Sequence, residues 1–360
     1  MNFFKDFGRC SNNYEVGYGL GEWWAQYFLE NENKPAMKRL LKKYPYFSYL
    51  CKSWDIDENT YAPLLRNAMR HFPDLVEEIT GIEKGVCDVF SSHPRISGKI
   101  RPTFLDLFCL CLGETDDPDF NNCSTAVFKT DSGYLLAHND EYETQYPLLV
   151  AKVDIETPSG EKRFLSVSHP FQLFGSAAGM NSHIAFSGNS IGCMDQEEDL
   201  KKTYSKRIPK TFFSRRLLEA SSISQVKDTL SAHHSTLPNH HYVITKSDVY
   251  SFDIRPSLNI NDDPSRQVKK RNITRFCPHY HTNHFLLGDS FDMGWNFGRQ
   301  GEDDSKKRYE YLSKNIPKSG VSKEGIETVF ITMAQDKRFR AQFAATVLFH
   351  SFVEHQSVLV

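Results

Sequence analysis

At 360 residues, with 39% hydrophobic and 24% charged side chains, the chain can bury a sizeable core and falls in the range of ordinary globular proteins. A formal charge of −2 with scattered Lys and Arg supplies no extended basic field, which argues against nucleic acid as a partner. Eight cysteines at irregular intervals, with no C-x-x-C pair, argue against a disulfide framework or a zinc ribbon and for a reducing compartment.

The start, Met1-Asn-Phe-Phe-Lys-Asp6, lacks a basic run followed by an apolar one, and no stretch approaches the ~18 apolar residues of a membrane span. A cytoplasmic protein with no membrane partner is expected. From Asn13 to about Gly113 apolar residues recur at helical spacing: Trp23, Trp24, Tyr27 and Phe28, then Leu64, Leu65, Ala68 and Met69, then Phe104, Leu105, Phe108 and Leu110. Asn59 and Thr60 are candidate caps for the second helix. Phe72-Pro73-Asp74 starts a third, which is expected to end at Thr80-Gly81.

After the acidic, turn-rich segment from Glu114 to Asn122 the pattern changes. Residues 123 to 136 alternate at period two around an Asp131-Ser-Gly133 turn, and residues 148 to 169 repeat the plan around Pro158-Ser-Gly160, which predicts antiparallel hairpins. A helix is expected from Thr211 to about Ala232, strands from His241 to Ile254, and helices near Ser305 to Asn315 and Ser322 to Met333. Phe343 to Val360 alternates again and should close a sheet, while the polar patch Asn259 to Asn272 is the candidate mobile loop. A helical third followed by antiparallel strands under helices gives an α+β fold class, with residues 1–122 as an N-terminal helical segment and 123–360 as the main body.

Cys123 lies at that junction, between a flexible acidic loop and a strand. If the Asn122–Cys123 bond were cut, one residue would carry a thiol and a free α-amine. An α-amine titrates near pH ~8 and a thiol near ~8.5, so the amine can take the thiol's proton near neutrality. Such a site needs no separate catalytic histidine. Spacing alone does not separate this reading from that of a small buried hydrophobe.

Five segments in order decide between them. These are Phe72-Pro-Asp-Leu-Val-Glu-Glu-Ile-Thr-Gly-Ile-Glu-Lys-Gly85; Cys123-Ser-Thr125 with Gly133-Tyr-Leu-Leu-Ala-His-Asn-Asp140; Gly179-Met-Asn-Ser-His-Ile-Ala-Phe-Ser-Gly-Asn189; His281-Thr-Asn-His284; and Ser305-x-x-Arg308. With them the chain resembles the penicillin acyltransferase-like family (acyl-coenzyme A:6-aminopenicillanic acid acyltransferases), N-terminal nucleophile hydrolases related to choloylglycine hydrolases. The resemblance implies a four-layer αββα sandwich of two antiparallel sheets between helical layers. It implies self-cleavage between Asn122 and Cys123, two fragments that stay associated, and attack by Cys123 on an amide or thioester carbonyl. It further implies that Asn283 and Asn189 face the oxyanion, with Asn139, His138 and Thr125 among the substrate-contacting groups. A carboxylate after Asn139 would hold the α-amine, and Ser305 and Arg308 would order the site. Asn122 stands where the family usually has glycine, and Asp140-Glu141 reverses the common order of the two acids, so which carboxylate holds the amine is open. Ile184 replaces a usual glycine, and the turn there must avoid left-handed backbone.

No cofactor and no metal are expected. Cys277, His279, His281 and His284 have ligand chemistry, but their spacing converges only on a bent loop. The histidines 233, 234, 240 and 241 flank Leu237-Pro238 and read as a solvated loop, and adjacent Asp140 and Glu141 point to opposite faces of a strand, unlike a glycosidase pair. The substrate expected is a small-molecule linear amide, an N-acyl amine, N-acyl amino acid or small peptide, cleaved by water. The alternatives are acyl transfer from an acyl-CoA thioester to an amine and a non-catalytic binding protein on the same fold. The sequence leaves a homo-oligomer open.

Overall fold

The computed structural model describes residues 3–31, 58–93, 103–111, 122–131, 133–142, 148–157, 160–191, 197–284, 299–316, 343–350, 358–359 and parts of 325–332. The first third contains strand β1 (Phe3–Cys10) and helices α1 (Asn13–Asn31), α2 (Glu58–His71), α3 (Pro73–Ser92) and α4 (Phe104–Leu110). Strands β2 (Asn122–Thr130) to β7 follow: β3 (Gly133–Tyr142), β4 (Leu149–Thr157), β5 (Gly160–Ser168), β6 (Ala178–Asn181) and β7 (Ala185–Ser190). Then come α5 (Glu197–Lys201), β8 (Arg207–Ile208), α6 (Lys210–Leu217), α7 (Ile223–Ser231), β9 (His234–Ser235), β10 (Asn239–Ile244), β11 (Val249–Ile254), β12 (Val268–Asn272) and β13 (His279–His281). Helix α8 (Arg299–Asn315) and strands β14 (Phe343–His350) and β15 (Val358–Leu359) complete the described elements.

Strand alternation builds the layers. On β2 and β3, Val127 and Leu136 point to one side and pack with Val150, Val167, Met180 and Tyr242 of the facing sheet. Ala126, Phe128, Leu135 and Ala137 point to the other side and meet Leu312, Ile316, Ile326 and Phe330. The first sheet runs β1-β4-β5-β6-β7-β10-β11-β12 and the second β13-β2-β3-β14-β15. The far face of the first carries Ala151, Val153, Phe164 and Phe186 against Leu20, Trp24, Ile79 and Ile82 of α1 and α3. The order is helices, sheet, sheet, helices: the α+β, αββα sandwich expected.

Helices α1 and α3 touch backbone to backbone. A Cβ on Gly17 would lie 1.8 Å from the Glu78 carbonyl oxygen, and one on Gly81 2.1 Å from that of Tyr14. The fully buried Glu78 beside this seam takes Arg215 Nε at 2.9 Å and Asn13 Nδ2 at 3.1 Å. The Glu-x-x-Gly-Ile-x-x-Gly run of α3 is thus a packing motif. Gly81 therefore does not end the helix, as its sequence context suggested; α3 continues to Ser92 because the glycine serves the close approach of α1.

Other boundaries also differ. Helix α2 begins at Glu58, ahead of the expected caps, and the helix expected over 211–232 breaks into α6 and α7, where Ser222 caps α7 by accepting from Gln225 N. Strand β1 was not foreseen; it is an edge strand with Phe4 65% exposed, so its pattern lacks a buried face, and it pairs in parallel with β4. The last five residues of the candidate loop are strand β12, paired with β11. The turn before Ile184 is held by Asn181, whose Oδ1 accepts from His183 N and Ile184 N, so no left-handed backbone is needed. No helix among the described residues is long and apolar enough to cross a membrane.

Candidate active site

The β2–β3 register sets Cys123 opposite Asp140 and Thr125 opposite His138. Cross-strand partners share a face, so all four side chains enter the space between the sheets. Cys123 is 5% exposed, and its Sγ donates to Asp140 Oδ1 at 3.4 Å. Asp140 Oδ1 also lies 3.5 Å from His138 Nε2, and Oδ2 lies 3.5 Å from His169 Nε2. Burial alone would raise the Asp140 pKa, but the imidazoles of His169 and His138 outweigh it and hold the carboxyl below its usual range.

The backbone of Cys123 is held from the opposite side. Its amide nitrogen donates to Asn283 Oδ1 at 2.8 Å, and its carbonyl accepts from Arg308 Nη1 at 2.7 Å. The same guanidinium reaches Ser124 Oγ at 2.9 Å and, through Nη2, Asn283 Oδ1 at 2.8 Å. One turn earlier on α8, Ser305 Oγ accepts from Asn283 N at 2.7 Å and donates to Thr282 Oγ1 at 2.8 Å. Ser305 and Arg308 thereby fix the loop after β13. Asn283 Nδ2 donates to the Ser190 carbonyl at 2.7 Å, so this amide grips the nucleophile's nitrogen through its oxygen and β7 through its nitrogen.

Asn189 comes from β7 on the facing sheet. Its Oδ1 accepts from Thr125 Oγ1 at 2.7 Å, whereas its Nδ2 is buried without a hydrogen-bond partner. With the Thr125 proton committed to Asn189, the contact of 2.8 Å between Thr125 Oγ1 and His138 Nδ1 puts a proton on that nitrogen. An unsatisfied buried donor is costly and rare in folded proteins.

Of the residues named from sequence, Cys123, Thr125, His138, Asp140, Asn189, Asn283, Ser305 and Arg308 thus come together. Asn139 does not: strand parity turns it to the outer layer, where its Nδ2 donates to the Phe330 carbonyl at 3.2 Å. Asn122 pairs with Glu141 in the β2–β3 register, and the side chains of both lie outside the described residues. His169, held by Ser176 Oγ at 3.1 Å, was missed, because a histidine following a strand belongs to none of the matched segments. Phe171, Phe174 and Phe186 lie away from this site, buried in the core under α1 and α3. The histidine quartet is also no solvated loop: His234, His240 and His241 are buried, the last two on β10.

A family model described as acyl-coenzyme A:6-aminopenicillanic acid acyl-transferase matches residues 128–341. No curated protein matches the chain in sequence. Among solved structures the chain is similar to the Caenorhabditis elegans N-acylethanolamine-hydrolyzing acid amidase ortholog, at 13% identity over 63% of this chain and 92% of that one, with a TM-score of 0.42. Because the family model spans more than half of the chain, the protein belongs to the acyl-coenzyme A:6-aminopenicillanic acid acyl-transferase family.

Proposed function

We propose that the chain is the precursor of a cysteine amidohydrolase that cuts itself between Asn122 and Cys123 and then cleaves linear amides through an acyl-enzyme on Cys123. The carrying observation is the grip on this one residue: nitrogen on Asn283, carbonyl on Arg308, thiol on Asp140. In self-cleavage the Cys123 thiol loses its proton and adds to the Asn122 carbonyl carbon. The C–N bond breaks as the nitrogen gains a proton, leaving Asn122 as a thioester on Sγ. Water then attacks the thioester and releases the Asn122 carboxyl group and the thiol.

The nitrogen freed in this way is the one that Asn283 Oδ1 already binds, and Asp140, across the hairpin, supplies the compensating negative charge. In turnover the α-amine takes the thiol proton and Sγ adds to the substrate carbonyl carbon. The unpartnered Asn189 Nδ2 is the donor for the resulting oxyanion. Collapse breaks the substrate C–N bond, and the α-ammonium returns its proton to the departing amine. Asp140 is the amine-holding carboxylate in this reading, because it shares the Cys123 face.

Water completes a hydrolase cycle; an acceptor amine attacking the same acyl-enzyme completes a transferase cycle. The family's description favours the second outcome for an acyl-CoA donor, and acyl-enzyme breakdown with and without added amine separates them. Denaturing intact mass spectrometry of the purified chain beside Cys123→Ala tests the core of the reading. Two fragments meeting at Asn122/Cys123 are expected in the first and one chain in the second. An uncut chain in both overturns self-processing and leaves a binding protein on the same fold.

A further inference from the structure

Beside the nucleophile, the space between the sheets holds a second polar cluster that the chemistry above does not use. His240 and Asp253 are cross-strand partners on β10 and β11, and His281 reaches them from β13 of the other sheet. One donor atom from each lies within 4.8 Å of the other two. The three are 1%, 0% and 0% exposed. Both Asp253 carboxylate oxygens, both His281 ring nitrogens and His240 Nδ1 lack a hydrogen-bond partner. Five converging buried polar atoms without hydrogen bonds are costly, which points to a missing ligand.

We propose that His240, Asp253 and His281 bind one divalent cation of the zinc type, at a site distinct from Cys123. Two imidazoles and a carboxylate suit zinc, which takes nitrogen and oxygen ligands at about 2.0–2.2 Å and leaves a fourth position for water. His240 is already held: its Nε2 lies 2.8 Å from Ser251 Oγ, a contact of the kind outer partners make in metal sites, which leaves Nδ1 as its ligand atom. Arg255 Nη2 stands 3.6 Å from Asp253 Oδ2, so a cation bound by the other oxygen leaves that contact in place. The imidazoles stack face to face, 3.6 Å between centroids and 6° between planes, so their in-plane lone pairs run parallel. One ring must turn for both to bind. His281 is that ring, because neither nitrogen has a hydrogen bond to lose.

The neighbouring residues of similar chemistry are engaged elsewhere. His279 Nδ1 meets the Tyr242 hydroxyl, Cys277 Sγ faces the Ile273 carbonyl at 3.9 Å, and His284 Nδ1 lies 2.8 Å from Ser305 Oγ. Convergence across two sheets, rather than proximity along the chain, assembles the site.

The test uses the full chain carrying Cys123→Ala, because Cys123, His138 and Asp140 form another group of three potential ligands. After zinc loading and dialysis against metal-free buffer, about one zinc per chain should remain by elemental analysis, and zinc should raise Tm. Cobalt in its place should give a tetrahedral ligand-field spectrum without thiolate charge transfer. Adding His281→Gln or, separately, Asp253→Asn should weaken zinc binding by more than the roughly 10–100-fold that loss of an outer partner costs. No retained zinc and no Tm shift in the Cys123→Ala chain would overturn the proposal and leave ordered water as the ligand. Retention unchanged in both added variants would overturn the assignment as well. Neither result bears on self-cleavage.

Discussion

The two faces of the eight-stranded sheet are built on opposite principles. Under α1 and α3 the face is apolar, its buried charges, Glu78 and Arg215, answer each other directly, and its unsatisfied atoms, Trp24 Nε1 and Arg215 Nη2, are isolated rather than clustered. Between the sheets the layer carries Asp140, His138, Asn189, His240, Asp253 and His281, each with a buried polar atom that lacks a hydrogen bond. Satisfied groups hold a fold together, whereas unsatisfied ones are held by it. The comparison assigns stability to the first face and chemistry to the second.

The largest effect should come from the stabilising face. Glu78→Ala leaves the buried Arg215 with the Glu219 carboxylate alone and should lower unfolding free energy by about 3 kcal/mol in denaturant titration. Asn189→Ala should do the reverse, cutting kcat roughly 10²–10³-fold with Tm little changed. A large Tm loss there would break the division. Gly81→Ala, which forces α1 and α3 apart, should cost about 1–3 kcal/mol without altering self-cleavage.

Smaller effects sharpen the contrast. Asp140 is depressed in the folded state, so its ionised form stabilises above the unfolded value of about 3.9, and this is lost as pH falls toward the folded value. The stability difference between the parent chain and Asp140→Asn should therefore shrink below about pH 4. On the other face burial pushes the Cys111 thiol up to about 12, so alkylation of the native protein near neutral pH should leave it unmodified. Labelling of Cys111 would mean that this core opens.

The β2–β3 hairpin was legible because a turn and a period-two pattern mark it, whereas the choice of Asp140 over Glu141 opposite Cys123 needed the observed register. Gly81 was misread because a glycine marks a helix end and a close helix contact equally well, and only the partner helix tells them apart. Strand β1 was illegible because an exposed edge carries little pattern. The histidines 240 and 241 were misread because the strand that hides them is polar for reasons that lie on β11 and β13. Local pattern revealed what neighbours in sequence decide; contacts between the two sheets stayed invisible.

Strand β1 and the α1–α3 seam have a further consequence if the chain is cut at Cys123. The smaller piece would own one strand of the ladder with β4 and one partner of the Glu78–Arg215 pair, each completed by the larger piece. Folding would then have been a one-molecule event and refolding a two-molecule event. Unfolded halves would have to meet again, so the melting point of the mature protein would depend on its concentration while that of the uncut chain would not. The lifetime of the active form would become a matter of the unfolding rate rather than of equilibrium, with the cut serving as a one-way step in the protein's history.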